Sequence, residues 1–298
     1  MSLRLLLPPE GVADLLATWP DEPRVYERGR TEVDEAMSLD VFTELIDTGC
    51  VPPDEVAVVK AGPASRTAFL TNGRTDPAKL RRLADQGYTI RLGNMQRWLP
   101  FFRRLSQSIK EETGYSNYAS AFLTPEGEQG LLHHWDQQMG VIVQVAGTKT
   151  WQLWKPPIEA PMREWGESFR VWREDFIPEW EAAGPDLTIE LNTGQTLLLP
   201  RGWVHNPHAL HHDEPSLHLT FAIKERTPLW LAEQLLARAI EQPEFRRVVL
   251  PGELEESVLA DQLSETTRAL VAFLTELDMK AMAGLVRKAA VTDLEYTT

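Results

Sequence analysis

The chain has 298 residues, 43% hydrophobic and 25% charged, with a formal net charge of −14. That balance fits one large globular domain, or one domain with an appendage, and no stretch is long and apolar enough to span a membrane. The acidic surface repels phosphate backbones, which argues against nucleic acid and favours a basic peptide or protein as partner.

Cys50 is the only cysteine, so no internal disulfide forms, which suits a reducing cytoplasm. The apolar run in "MSLRLLLPPEG" is too short for a secretory signal. "EVAVVKAG" (55–62) and "YTIRLG" (88–93) read as strands, each closed by glycine. In "NMQRWLPFFRRLSQSIKEE", Trp98, Phe101, Phe102, Leu105 and Ile109 fall on one helical face. Pro100 belongs in the first turn of that amphipathic helix.

A β-rich block follows. "YASAFLTP" (118–125) reads as a strand stopped by Pro125, and "GLLHHWDQQMG" (130–140) as a strand running on into "VIVQV". In a strand, residues two apart share a face, so His134 and Asp136 point one way and His133 and Trp135 the other. A His-x-Asp pair can hold a metal but needs a third ligand. "VIVQVAGTKTWQLW" (141–154) predicts two strands joined at "AGT" as a hairpin. An acidic segment, 158–187, carries Trp165, Trp172 and Trp180. Strands resume at "LTIEL", "QTLLLP" and "SLHLTFAI".

"GQTLLLPRGWVHNP" (194–207) supplies the third ligand. Gly194, an apolar strand, and a Pro200-x-Gly202 turn deliver His205 at the start of the next strand. The spacing resembles the second motif of the cupin superfamily, although "NPHA" after His205 does not carry its asparagine at the position where many cupins do. Two histidines and one carboxylate form the facial triad of non-haem Fe(II) oxygenases, leaving three octahedral positions open. Three-ligand zinc sites also exist, so the ligand set alone does not fix the metal.

From Thr227 the pattern is helical. Thr227 and Pro228 suit a helix start, and "LSETTRALVAFLTELDMKAMAGLVRKAA" predicts one long helix beginning near Ser264 and Glu265. Residues 1–226, with a core at about 88–226, thus form one domain. Residues 227–298 form a helical tail that either packs on it or pairs two chains as a homodimer.

The segment "FLTPEGEQGLLHHWDQQMGVIVQVAGTKTWQLWKP" resembles the JmjC branch of the cupin-type 2-oxoglutarate oxygenases, in particular the ribosomal-oxygenase type that hydroxylates protein side chains. "LPRGWVH" and "SLHLTF" also fit that family. The resemblance implies a mainly β fold with α elements: a double-stranded β-helix core, N-terminal α/β elements and a C-terminal helical region. It implies Fe(II) held by His134, Asp136 and His205, with 2-oxoglutarate as co-substrate giving succinate and carbon dioxide. It places Lys149 on the far carboxylate of 2-oxoglutarate. The family's usual Asn-x-Tyr-Leu-Thr-Pro is Ser120-Ala121-Phe122-Leu123-Thr124-Pro125 here. Phe122 has no hydroxyl, which leaves Ser120 and Thr220 as the candidates to help hold the co-substrate.

A peptide or protein side chain is the expected substrate, with Trp135, Trp203 and the 158–187 segment as candidate groove walls. His133, His208, His211 and His212 are expected to be exposed or substrate-facing. His218 is expected to be a hydrogen-bonded core residue, or else to face the interior near the metal. Two other readings stay open: a tailoring hydroxylase of a peptide natural product, which the short tail and compact size suit, and a non-catalytic cupin-like scaffold.

Overall fold

A computed structural model describes residues 2–162 and 176–292. Contacts divide the chain into two compact units, Met1–Lys224 and Glu225–Thr298.

The first unit is built on antiparallel strands. Four lie in its N-terminal part: β1 (Arg24–Glu27), β2 (Val56–Val59), and the short pair β3 (Leu70–Thr71) and β4 (Arg74–Thr75). Then come β5 (Thr89–Leu92), β6 (Asn117–Thr124), β7 (Met139–Ala146) and β8 (Thr148–Trp154). The last four are β9 (Leu187–Asn192), β10 (Gln195–Leu199), β11 (Val204–His208) and β12 (Ser216–Ile223). Among the described residues they form a seven-stranded sheet ordered β1-β10-β7-β12-β6-β5-β2, a three-stranded sheet ordered β11-β8-β9, and the β3-β4 pair.

Strand alternation explains how two cores coexist. On β7, Val141, Val143 and Val145 enter a core shared with the N-terminal helices. Ile142 points the opposite way, into a second core with Trp151, Leu153 and Leu197. On β12, Leu217, Leu219 and Phe221 likewise face the helical side, while His218 and Thr220 face inward. Each fully buried Leu, Val or Phe contributes roughly 1.5–3 kcal/mol. The helix Pro100–Thr113 supplies much of the helical side: Phe102, Leu105 and Ile109 are buried, and Phe102 stacks on Phe221 at 6.2 Å. Pro100 occupies its first turn, and Trp98 sits in a separate short helix, Met95–Trp98.

Three expectations are corrected. His134 and Asp136 do not lie on a continuous strand; β7 begins only at Met139, and His134 makes an isolated bridge with His205. The chain must cross between sheets here, so its backbone pairs at one point and then turns. The 141–154 segment is not a hairpin: β7 pairs with β10 and β12, whereas β8 pairs with β9 and β11. Gly147 makes the crossing at φ +64°, where a Cβ would lie 2.3 Å from the Pro215 carbonyl oxygen. The long C-terminal helix is two helices, Glu256–Glu276 and Met279–Thr292, and it starts eight residues before Ser264. The Asp278 carboxylate accepts from Lys280 N at 2.9 Å, which starts the second helix afresh.

The second unit opens as the sequence suggests: Thr227 caps the helix Pro228–Leu236 by accepting from Trp230 N at 3.2 Å. The unit carries exposed apolar side chains, among them Ile240, Val248, Leu263 and Val271. No helix among the described residues is long and apolar enough to cross a membrane.

Candidate metal centre

His134, Asp136 and His205 offer ligand atoms that all lie within 4.8 Å of one another. Their backbones are tied together as well. His134 N donates to His205 O at 3.0 Å, and His205 N donates to His134 O at 2.7 Å. Gly202 N donates to Asp136 O at 3.0 Å. Gly202 has φ +86°, so the Pro200-x-Gly202 turn both aims His205 and holds the Asp136 loop.

The imidazoles are set for ligation by their own main chains. His134 Nδ1 lies 2.7 Å from Leu132 O, and His205 Nδ1 lies 2.9 Å from Trp203 O. A carbonyl only accepts, so each Nδ1 carries the proton and each Nε2 presents a lone pair. Burial, with His134 alongside, holds the His205 imidazole well below its usual range, so it stays neutral. The His205 Nε2 sits 3.8 Å from Asp136 Oδ2. This donor set, two imidazole nitrogens and one carboxylate beside a cavity, fits Fe(II).

The cavity has a volume of about 400 Å³ and is open on one side. His134, Asp136 and His205 line it together with Ser120, Thr220 and Trp151. Lys149 does not line it. Its ammonium is buried beside the cavity and donates to Thr124 Oγ1 at 2.6 Å, and burial pulls it down to about 7. Ser120 is already engaged, since its Oγ accepts from Arg91 Nη2 at 3.1 Å. Two ring nitrogens here lack a partner: Trp151 Nε1 and His218 Nδ1 are buried without a hydrogen bond. A buried cation next to orphaned polar atoms suits a carboxylate-bearing ligand.

His133 and His208 are not exposed, contrary to expectation. His133 is buried, 4.8 Å from the Trp154 ring and 6.1 Å from Trp180. His208 is buried as well. His211 is exposed, and His212 is half-buried with Nε2 2.9 Å from Thr150 Oγ1. His218 lines the cavity, but its Nδ1 has no partner, so it is not a hydrogen-bonded core residue. Trp135 lines the cavity. Trp203 is core, its Nε1 donating to Asp21 O at 2.9 Å. Trp165 and Trp172 lie outside the described residues.

Arg91 is the residue that sequence reasoning missed. It lies on β5, opposite Phe122, and its guanidinium lines the cavity 5.8 Å from the Phe122 ring. Burial lowers its pKa, partly offset by Tyr118 and Asp136. Its one signal was alternation in "YTIRLG": Ile90 and Leu92 face the core, so Arg91 must face inward.

Comparison with known proteins agrees with this geometry. Residues 91–229 match the JmjC domain family. The chain is 28% identical over 178 residues to the bifunctional lysine-specific demethylase and histidyl-hydroxylase NO66 of Drosophila persimilis, covering 59% of this chain and 24% of that protein. It is 29% identical over 171 residues to ribosomal oxygenase 1 of Danio rerio, covering 57% and 30%. The chain thus spans about a quarter to a third of the length of these curated relatives. Among solved structures, it shares its fold with the Escherichia coli ribosomal oxygenase YcfD in complex with cobalt and 2-oxoglutarate, at a TM-score of 0.54 and 16% identity over 89% of this chain and 67% of that one.

Proposed function

We propose that this chain, whose residues 91–229 match the JmjC domain family, is an Fe(II)- and 2-oxoglutarate-dependent oxygenase that hydroxylates a peptide or protein side chain. One observation carries the reading: two imidazoles and a carboxylate converge within 4.8 Å at a cavity beside a buried lysine.

His134 Nε2, Asp136 and His205 Nε2 would hold the metal. The Lys149 ammonium and Thr124 hydroxyl take the far carboxylate of 2-oxoglutarate; Thr220 lines the path between. Bound Fe(II) and 2-oxoglutarate supply the oxygen activation, releasing succinate and carbon dioxide. The protein's own part is positioning. Trp151 walls the cavity against bulk water, and the ends of the cavity fix where a substrate carbon can sit. Arg66, Arg91 and Trp135 also line the cavity, where the substrate would meet them.

The net charge of −14 suits a basic partner protein. The names of the relatives point the same way, since one is a histidyl-hydroxylase and another a ribosomal oxygenase. The exposed apolar side chains of the C-terminal unit suit a homodimer, and the exposed free thiol of Cys50 suits the cytoplasm.

The deciding experiment measures succinate formed from 2-oxoglutarate with Fe(II), with His134→Ala as control. A wild-type signal absent from the variant supports the oxygenase; equal background in both removes it and leaves a scaffold. Mass spectrometry of basic ribosomal proteins and of candidate peptides after incubation then finds the substrate as a gain of one oxygen atom.

A further inference from the structure

His218 is the anomaly of the cavity. It lies on the inward face of β12, paired with Phe122 across the sheet, and is only 4% exposed. Its ring lies flat on Phe122, with centroids 4.9 Å apart and planes inclined by 7°. The Trp151 ring meets it edge-on at 5.5 Å. These contacts fix the imidazole plane, yet its Nδ1 is buried with no partner. Leaving a buried donor or acceptor unmade costs about 1–3 kcal/mol, so such a group in a lined cavity is built to meet something.

Its position says what. Burial, with Lys149 and His205 nearby, keeps its imidazole neutral. His218 pairs with Phe122, two residues along β6 from the Thr124 that accepts from Lys149, and the Trp151 ring meets both the His218 and the His205 rings, at 5.5 and 5.7 Å. Lys149 does not open onto the cavity, whereas His218 does. Phe122 beneath it offers a platform but no hydrogen-bonding atom. Ser120 is engaged by Arg91. A carboxylate reaching from the metal toward Lys149 must pass His218.

We propose that His218 donates a ring N–H to the distal carboxylate of 2-oxoglutarate, acting with Lys149 to select a keto-diacid over a keto-monoacid. This rests on the oxygenase reading above. A neutral imidazole suits the task because it adds a directional donor without a second buried charge beside Lys149.

The test is calorimetric and needs no turnover. Protein loaded with Mn(II) is titrated with 2-oxoglutarate and with 2-oxopentanoate, which has the same carbon chain without the far carboxylate. His218→Phe keeps a flat ring on Phe122 and removes both nitrogens. It should weaken 2-oxoglutarate about tenfold, the loss of one charge-assisted hydrogen bond, and leave 2-oxopentanoate unchanged. His218→Asn, which restores an N–H donor, should recover part of the loss. If His218→Phe binds 2-oxoglutarate as the wild type does, or weakens both ligands equally, the proposal is overturned. Lys149→Met separates this from failure of the oxygenase reading. A wild-type protein that does not bind 2-oxoglutarate, or a Lys149→Met variant that binds it equally well, overturns both. A large loss in Lys149→Met with none in His218→Phe overturns only the role of His218.

Discussion

His134 and His205, 71 positions apart in the sequence, are joined by two reciprocal main-chain hydrogen bonds of 3.0 and 2.7 Å. The two imidazoles are thus placed by backbone pairing and not by each other's side chains. Each ring is then oriented by a carbonyl two residues earlier in its own segment. The candidate metal site is thus an extension of sheet geometry.

It follows that removing one imidazole empties the site without unmaking the fold. His205→Ala should lose stoichiometric metal while its melting midpoint shifts by no more than about 4 °C, roughly 1 kcal/mol for a domain of this size. Metal analysis after loading, beside thermal melts, checks both halves. Full metal retention would mean that His205 is not a ligand.

Lys149 gives a pH-dependent prediction. Burial lowers it from 10.5 to about 7, so the folded state holds this proton less tightly than the unfolded chain. Between those values the unfolded state binds more protons, and stability climbs with pH; below about 7 the penalty is constant. That penalty is on the order of a few kcal/mol. Lys149→Met should therefore raise the melting midpoint of the ligand-free protein near neutral pH, and the gain should shrink toward about pH 10. Binding of 2-oxoglutarate needs the ammonium, so its affinity for the wild type should fall as pH rises above about 7. A flat stability difference across this range would contradict the burial of the charge.

Much of the site was legible because its ligands sit in tightly spaced local patterns. The Pro200-x-Gly202 turn and His205 read correctly because each residue type has one physical job there. The strand through His134 and Asp136 did not, because alternation in sequence cannot tell a strand from a loop that pairs at one residue and crosses to another sheet. The hairpin at Gly147 failed for the same reason: a turn glycine looks alike whether the chain returns to its own sheet or leaves it. Arg91 is one of 30 basic residues, and nothing local marks it until β5 is known to pair with β6. The unpartnered Nδ1 of His218 is an absence, visible only once all its neighbours are in place.

Gly202 tests the coupling between the turn and the triad. At φ +86°, an added Cβ would lie 2.2 Å from Pro161 Cγ. Gly202→Ala should therefore cost roughly 2–3 kcal/mol and also weaken metal binding, since its N–H anchors the Asp136 loop. Gly127 is the control. It also has positive φ, +66°, but a Cβ there meets nothing within 4 Å. Gly127→Ala should cost about 1 kcal/mol and leave metal affinity intact. Equal effects of the two substitutions on metal affinity would remove the claimed link.

Arg91 separates substrate positioning from co-substrate chemistry. Its guanidinium gives one hydrogen bond to Ser120 and lines the cavity, whereas the Lys149 ammonium is held by Thr124. Loss of this side chain should leave metal content and substrate-free succinate production close to wild type. Hydroxylation of the protein substrate should fall through a KM raised about tenfold, the loss of one or two charge-assisted hydrogen bonds. Arg91→Lys should rescue little, because a point charge cannot reproduce the fork that spans Ser120 and a second acceptor. Parallel assays of succinate and of hydroxylated product decide it. A drop in substrate-free succinate equal to the drop in product would instead place Arg91 at the co-substrate.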